Sequence, residues 1–234
     1  MDAKQVLEFA SKNNAKILDL RFIDLPGIWQ HVSYPIGELE ESSFKDGFGF
    51  DASSIRGWQS IHESDMLLVP DPNTAFMDPF RDVPTLCMIA DAVEPGSHQP
   101  YRRDPRYIAK KAEAYLNTTG VADQAFFGAE AEFFIFDSIR FDQTQHCGYY
   151  YIDAEEGRWN SGREENNLGY RPRYKEGYFP VPPTDHHQDL RTDMVLTMQA
   201  CGLDVECHHH EVATAGQAEI DLRFNTMLKS ADWI

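Results

Sequence analysis

Residues 205–224 read VECHHHEVATAGQAEIDLRF, three consecutive histidines running into Glu211, with Glu219 eight positions further on. If the segment is a hairpin turning at Thr214–Gly216, Glu211 stands directly across from Glu219, their Cβ atoms about 4.5–5.5 Å apart. Two carboxylates at that spacing suit one hard divalent cation with oxygen ligands. In a helix the same pair would lie about 12 Å apart, too far to share an ion. Val205, Val212, Ile220 and Gly216 favour strands. Adjacent strand residues face opposite ways, so His208, His209 and His210 cannot all reach one ion, and only His209 shares a face with Glu211. Each histidine taken alone reads first as a packing or hydrogen-bonding residue. A zinc module built from Cys207 and the histidines is the competing reading, which alternation opposes.

A second carboxylate pair lies upstream in FGAEAEFF, where Glu130 and Glu132 are two residues apart. In a strand they share a face with Cα atoms roughly 6.5–7 Å apart, wide for one small cation and suited to two side by side. The neighbouring Phe126, Phe127, Phe133, Phe134, Ile135 and Phe136 predict a buried strand; a half-exposed strand with its glutamates in water is the alternative. Four patterned glutamates point to magnesium or manganese, ions that commonly bridge a protein to phosphate.

The elements that must position these groups follow from the rest of the chain. Asp2 caps a first helix containing Val6, Leu7, Phe9 and Ala10. KILDLRFID (16–24) alternates, setting Leu18, Leu20 and Phe22 on one face of a strand. A turn at Pro26-Gly27 leads to a second strand, and TLCMIADAVEPG (85–96) forms another. RRDPRYIAKKAEAYLNTTG (102–120) opens a second region, with Asp104 at the N-cap, Pro105 in the first turn and Gly120 past the end. A strand at 124–137, a long loop at 142–183, a helix from Asp185 and the hairpin complete the order. The pattern predicts an α+β protein with domains at 1–103 and 104–234. MLKSADWI begins a helix that no capping residue ends, which predicts a partial chain.

Of the 234 residues 38 are acidic and 21 basic, a net charge of −17, and no basic stripe suits nucleic acid. No run of about 18 apolar residues predicts a membrane span, and MDAKQVLEFASKNN lacks the build of a secretory signal; a cytoplasmic location is expected. Cys87, Cys147, Cys201 and Cys207 are too few and irregular for a disulfide framework.

The whole length closely resembles the N-terminal half of the bacterial type I glutamine synthetases. The resemblance is carried in order by RFIDLPGIWQH (21–31), FDASSIRGW (50–58), ESDMLLVPD (63–71), DPF (78–80), RDPR (103–106), FGAEAEFFIFD (127–137), GYFPVPP (177–183), HHHEVATAGQAE (208–219) and RFNTM (223–227). It implies a β-grasp-like N-terminal domain, then the first half of a catalytic domain with an antiparallel sheet and helices. The implied reaction joins glutamate and ammonium using ATP through γ-glutamyl phosphate, with two Mg2+ or Mn2+ per active site. Glu132, Glu211 and Glu219 would ligate the first ion and Glu130 the second. Asp51 would bind ammonium and take its proton, Ser54 would stand beside it, and Trp58, Tyr178, Glu206, Arg223 and Phe224 would line the nucleotide. Glu206 needs a bulge to face the same way as Glu211. The implied assembly is a dodecamer of two six-membered rings, with Asp51 and Trp58 serving the adjacent subunit. Ala52 and Ala129 replace the family's usual Gly and Pro. Residues 1–234 alone are expected to form no glutamine from ATP, glutamate and ammonium, and a coupled ADP assay on the purified chain checks this. A γ-glutamyl ligase for another amine and a non-catalytic homologue are the alternatives.

Overall fold

The computed structural model describes residues 1–160, 169–213 and 215–234. Their contacts form two compact units, Met1–Phe127 with Asn225–Ile234, and Gly128–Phe224. In chain order the elements are α1 (Ala3–Lys12), β1 (Ile17–Ile23), β2 (Trp29–Pro35), α2 (Ser43–Asp46), β3 (Phe48–Asp51), β4 (Asp65–Pro70), β5 (Phe76–Met77), β6 (Thr85–Val93), α3 (Pro105–Thr119), β7 (Phe126–Phe127), β8 (Glu130–Phe134), β9 (Ser138–Gln143), β10 (Gly148–Asp153), α4 (Gln188–Ala200), β11 (Val205–His210), β12 (Gln217–Leu222), β13 (Asn225–Thr226) and α5 (Met227–Trp233).

The first unit is a mixed sheet in the order β2-β1-β6-β4-β3, with β5 on β6. β1 and β6 run parallel at its centre, so both are enclosed and β6 reads as a nearly continuous apolar run. Leu18, Leu20 and Phe22 point into the core, as alternation predicts, and meet Val6 and Ala10 of α1. Asp2 caps α1 through a reciprocal pair of bonds with Gln5. α3 starts at Pro105 after the Asp104 N-cap and ends at Gly120, whose left-handed backbone suits glycine.

Arg106 fastens this unit. Its buried guanidinium donates to Asp71 at 2.7 Å, to Asp91 at 2.6 Å and to both oxygens of Asp232 at 2.8 Å. Burial opposes its charge, yet those three carboxylates hold its pKa above the usual arginine value.

In the second unit the three-stranded antiparallel sheet β11-β12-β8 carries the site, and β9 pairs with β10 as a hairpin. Ala218, Ile220 and Leu222 of β12 are buried on one sheet face. His208 lies on that same side, where the Arg191 Nε–H of α4 donates to its Nδ1 at 3.3 Å.

Three expectations from sequence need correction. The strand expected at 124–137 is two strands interrupted at Gly128–Ala129, because 126–127 pair with β13 while 130–134 pair with β12. β8 is not buried: Glu130, Glu132 and Phe134 are exposed, because β8 is an edge strand and its apolar length overstated its enclosure. The segment 142–183 is not one loop, since it contains β10 and a short 3-10 turn at Arg158–Asn160; its 161–168 portion lies outside the described residues.

Candidate metal centre

The β8–β12–β11 register builds the site row by row. In one row Glu132 lies opposite Glu219, which lies opposite His209. In the next, Glu130 faces Asp221 and Asp221 faces Cys207. On the other side, Phe134 faces Gln217, whose carbonyl accepts the Glu211 N–H at 2.9 Å. Strand side chains two residues apart share a face. Glu130, Glu132, Glu211, Glu219, Asp221, His209 and Cys207 therefore occupy one side of a single sheet.

The hairpin pairs differently from the sequence expectation. Glu219 stands across from His209, not Glu211, because the connection runs from Glu211 to Gly216 and the ladder is displaced by two residues. A slip of two keeps every side chain on its face, whereas a slip of one would have reversed them. Glu211 therefore still converges with Glu219: one oxygen of each and a ring nitrogen of His209 lie within 4.8 Å of one another. Thr214, in the expected turn, lies outside the described residues. Gly216 has φ +79°, and a Cβ there would stand 2.5 Å from the Ile135 carbonyl, so the turn requires glycine.

Electrostatics mark this face as built for cations. Glu211 and Glu219 are each only 8% exposed. Burial, then the charges of Asp221, Glu211 and Glu132, push the Glu219 carboxyl up to about 7. Glu211 Oε2 and Asp221 Oδ1 are enclosed and find no hydrogen-bond donor, which is costly for anionic oxygens unless a cation compensates. His209 approaches Glu211 Oε2 at 3.4 Å and Glu219 Oε2 at 3.5 Å. Gln217 donates to Glu132 Oε2 at 2.7 Å and accepts the Ala213 N–H at 2.6 Å, aiming that carboxylate. The donor set fits hard divalent cations.

Glu156 supports the site from behind and is fully buried. It accepts from His210 Nε2 at 2.9 Å, from the Gly216 N–H at 2.8 Å and from the His186 N–H at 2.9 Å. His210 Nδ1 meets the Glu211 carbonyl at 2.8 Å. Both ring nitrogens thus face acceptors, so both donate and His210 is an imidazolium. Burial opposes charge on both partners, but their pairing wins, raising the His210 pKa and holding Glu156 down to about 2.

The other expected residues are dispersed. Tyr178 is exposed and stacks on Phe179 with centroids 4.0 Å apart, and both rings meet the His209 imidazole edge-on. The ladder breaks register between Val205 and Cys207, leaving Glu206 exposed in a bulge, where its charge adds to the Asp221 hydrogen bond and the burial that raise the Cys207 pKa. Arg223 and Phe224 are exposed just beyond β12, and the Arg223 N–H donates to the Asp204 carbonyl. In the first unit Asp51 is exposed and accepts the Ser53 N–H at 2.8 Å and hydroxyl at 2.6 Å, bonds that lower its pKa and keep it anionic. Ser54 is exposed in the adjoining 3-10 turn. Trp58, expected beside a nucleotide, is instead 2% exposed, packed among Phe22, Phe50 and Tyr101 in the core, because its large apolar ring completes that aromatic cluster.

Sequence reading missed three contributors, Asp221, Gln217 and Glu156, and read His209 first as a packing residue although it placed it on the Glu211 face. Asp221 and Gln217 were legible through alternation from Glu219. Glu156 carried no signal, since it approaches from a distant loop.

A three-stranded sheet presenting carboxylates, an imidazole and a thiol from one face belongs to an α+β protein whose donor set fits divalent cations. A glutamine synthetase beta-grasp domain model matches residues 14–95, and a glutamine synthetase catalytic domain model matches 102–234. The chain belongs to the glutamine synthetase family. It is 56% identical over 232 residues to a glutamine synthetase of Microchaete diplosiphon, covering 99% of this chain and 49% of that protein. A Nostoc sp. glutamine synthetase is 53% identical over 235 residues, covering 99% and 50%. Among solved structures, Plasmodium falciparum glutamine synthetase superimposes with a TM-score of 0.86 at 26% identity, covering 100% of this chain and 46% of that one. The chain thus spans about half the length of these relatives. Among the described residues no helix is long and apolar enough to cross a membrane.

Proposed function

We propose that this chain carries the cation-binding part of an ATP-dependent glutamate–ammonia ligase. The observation that carries the reading is the row Glu132–Glu219–His209, with Glu211 converging on it and Glu130 one row away. Glu132, Glu211 and Glu219 would hold one divalent ion, Mg2+ or Mn2+, and Glu130 would contribute to a second. Bound there, such ions supply charge neutralisation for phosphate oxygens and for a substrate carboxylate.

The chemistry asked of the protein has two parts. The γ-phosphoryl group of ATP passes to the glutamate side-chain carboxylate, and ammonia then displaces phosphate to give glutamine. Ammonium is unreactive until it loses a proton, and the anionic, exposed Asp51 suits binding it and accepting that proton. Asp51 would do so in an adjacent subunit of a ring assembly, with Ser54 beside it. Tyr178, Glu206, Arg223 and Phe224 would border the nucleotide. Support for Tyr178 comes from its exposed ring against His209, and for Glu206 from the bulge.

The test is ADP release by the full-length protein with glutamate and either ammonium or putrescine. Ammonium-dependent turnover that Glu132→Gln reduces by at least about a hundredfold is expected, since the variant loses a carboxylate that would hold the charge-neutralising cation. A strong preference for putrescine, or full activity in the variant, overturns the reading.

A further inference from the structure

One group on the sheet face has no part in that reading: the Cys207 thiol. It is exposed and donates to Asp221 Oδ2 at 2.9 Å. One ligand atom from each of Cys207, His209 and Asp221 lies within 4.8 Å of the others. Tetrahedral zinc, with bonds of about 2.0–2.3 Å, sets its ligand atoms roughly 3.3–3.8 Å apart, so small side-chain rotations close this set. One further observation points to a ligand here. Asp221 Oδ1 is enclosed without a hydrogen-bond donor, on the residue already touching the thiol.

We propose that Cys207, His209 and Asp221 form a site for a thiophilic divalent cation, of which Zn2+ is the type, separate from the all-carboxylate set and sharing His209 with its surroundings. A sulfur, nitrogen and oxygen donor set selects zinc-like ions over magnesium, which keeps oxygen ligands and its waters. The thiol proton goes to solvent as the S–metal bond forms. His209 lies in both possible sets, so an ion held here stands on the same wall as Glu211 and Glu219. The alternation that separates the three histidines does not oppose this set, because 207 and 209 share one face and Asp221 pairs directly with Cys207.

Co2+ titration of the chain followed by absorption tests the site, because a thiolate–cobalt charge-transfer band and tetrahedral d–d bands report sulfur ligation directly. The expected result is a band present in the wild type and in Cys147→Ser, and lost in Cys207→Ser. Competition with a chromophoric chelator should show Zn2+ bound at least about tenfold more weakly by Cys207→Ser and by Asp221→Asn. Asp221→Asn keeps the thiol, so it tests the site even if the cysteine variant fails to fold. A wild-type spectrum without sulfur ligation, a band retained in Cys207→Ser, or Zn2+ affinity unchanged in Asp221→Asn overturns the proposal. Glu132→Gln, which tests the ligase reading, should leave the cobalt band intact.

Discussion

Glu219 is the residue on which protons and cations compete most directly. Burial and three neighbouring carboxylates hold its acid form to about pH 7, well above the ordinary 4.5. Below pH 7 a proton occupies the place a cation would take, so Mn2+ affinity should rise as pH climbs through 7 and level off above it. Titrations between pH 5.5 and 8.5 check this, and Glu219→Gln should bind weakly with a flattened profile. The cation-free chain should show the opposite trend in stability. An unfolded Glu219 ionises near 4.5 while the folded one does not, so its contribution is complete below 4.5 and is lost as pH rises through 7. The same crowding explains the orphaned Glu211 and Asp221 oxygens, which a hydrogen-bonding network alone leaves uncompensated.

Among the elements, the β11–β12 hairpin is only as well placed as the loop that braces it. Glu156 joins three backbone or ring donors from separate stretches, and its buried pair with His210 fixes the carbonyl of Glu211. Glu156→Ala strands an imidazolium in the interior, which costs about 3–5 kcal/mol. Thermal unfolding should fall by roughly 10 °C in a chain of this size. Because the folded Glu156 carboxyl is held down to about 2, its stabilisation is present above 4.5 and disappears as pH falls from there toward 2. Gly177 is a second brace. A Cβ at this position would lie 2.8 Å from the Glu211 carbonyl and 2.9 Å from His210 Cε1. Gly177→Ala should therefore cost about 1–3 kcal/mol by overpacking and weaken Mn2+ binding by displacing Glu211, both readable by calorimetry.

At the level of the whole chain, a net charge of −17 opposes compaction unless cations offset it where carboxylates converge. A divalent cation that binds only the folded state at about a hundred times its dissociation constant adds about 2.7 kcal/mol. Unfolding should then shift upward by roughly 5–10 °C with Mn2+. The shift should vanish in a Glu211→Gln, Glu219→Gln double variant, whereas an equal shift in that variant would place the stabilising ion elsewhere. Membership of the glutamine synthetase family rests on matches over nearly the whole length of this chain and about half the length of its relatives.

Local pattern alone was enough for much of this. Asp2, Asp104, Pro105 and Gly120 bound their helices through nearest-neighbour chemistry, and the two-residue period put Glu130 with Glu132, and His209 with Glu211, on shared faces. Such features depend on backbone geometry within a few residues, which composition and spacing record. Long-range pairing is different. The two-residue displacement of the hairpin, the exposure of β8, the burial of Trp58 and the approach of Glu156 to His210 each depend on what packs against what. An aromatic run reads the same on an edge strand as on a central one, and a glutamate in a loop carries no mark of the histidine it will meet 54 residues later. Side-chain face is a property of the strand itself; burial and partnership are conferred by the fold around it.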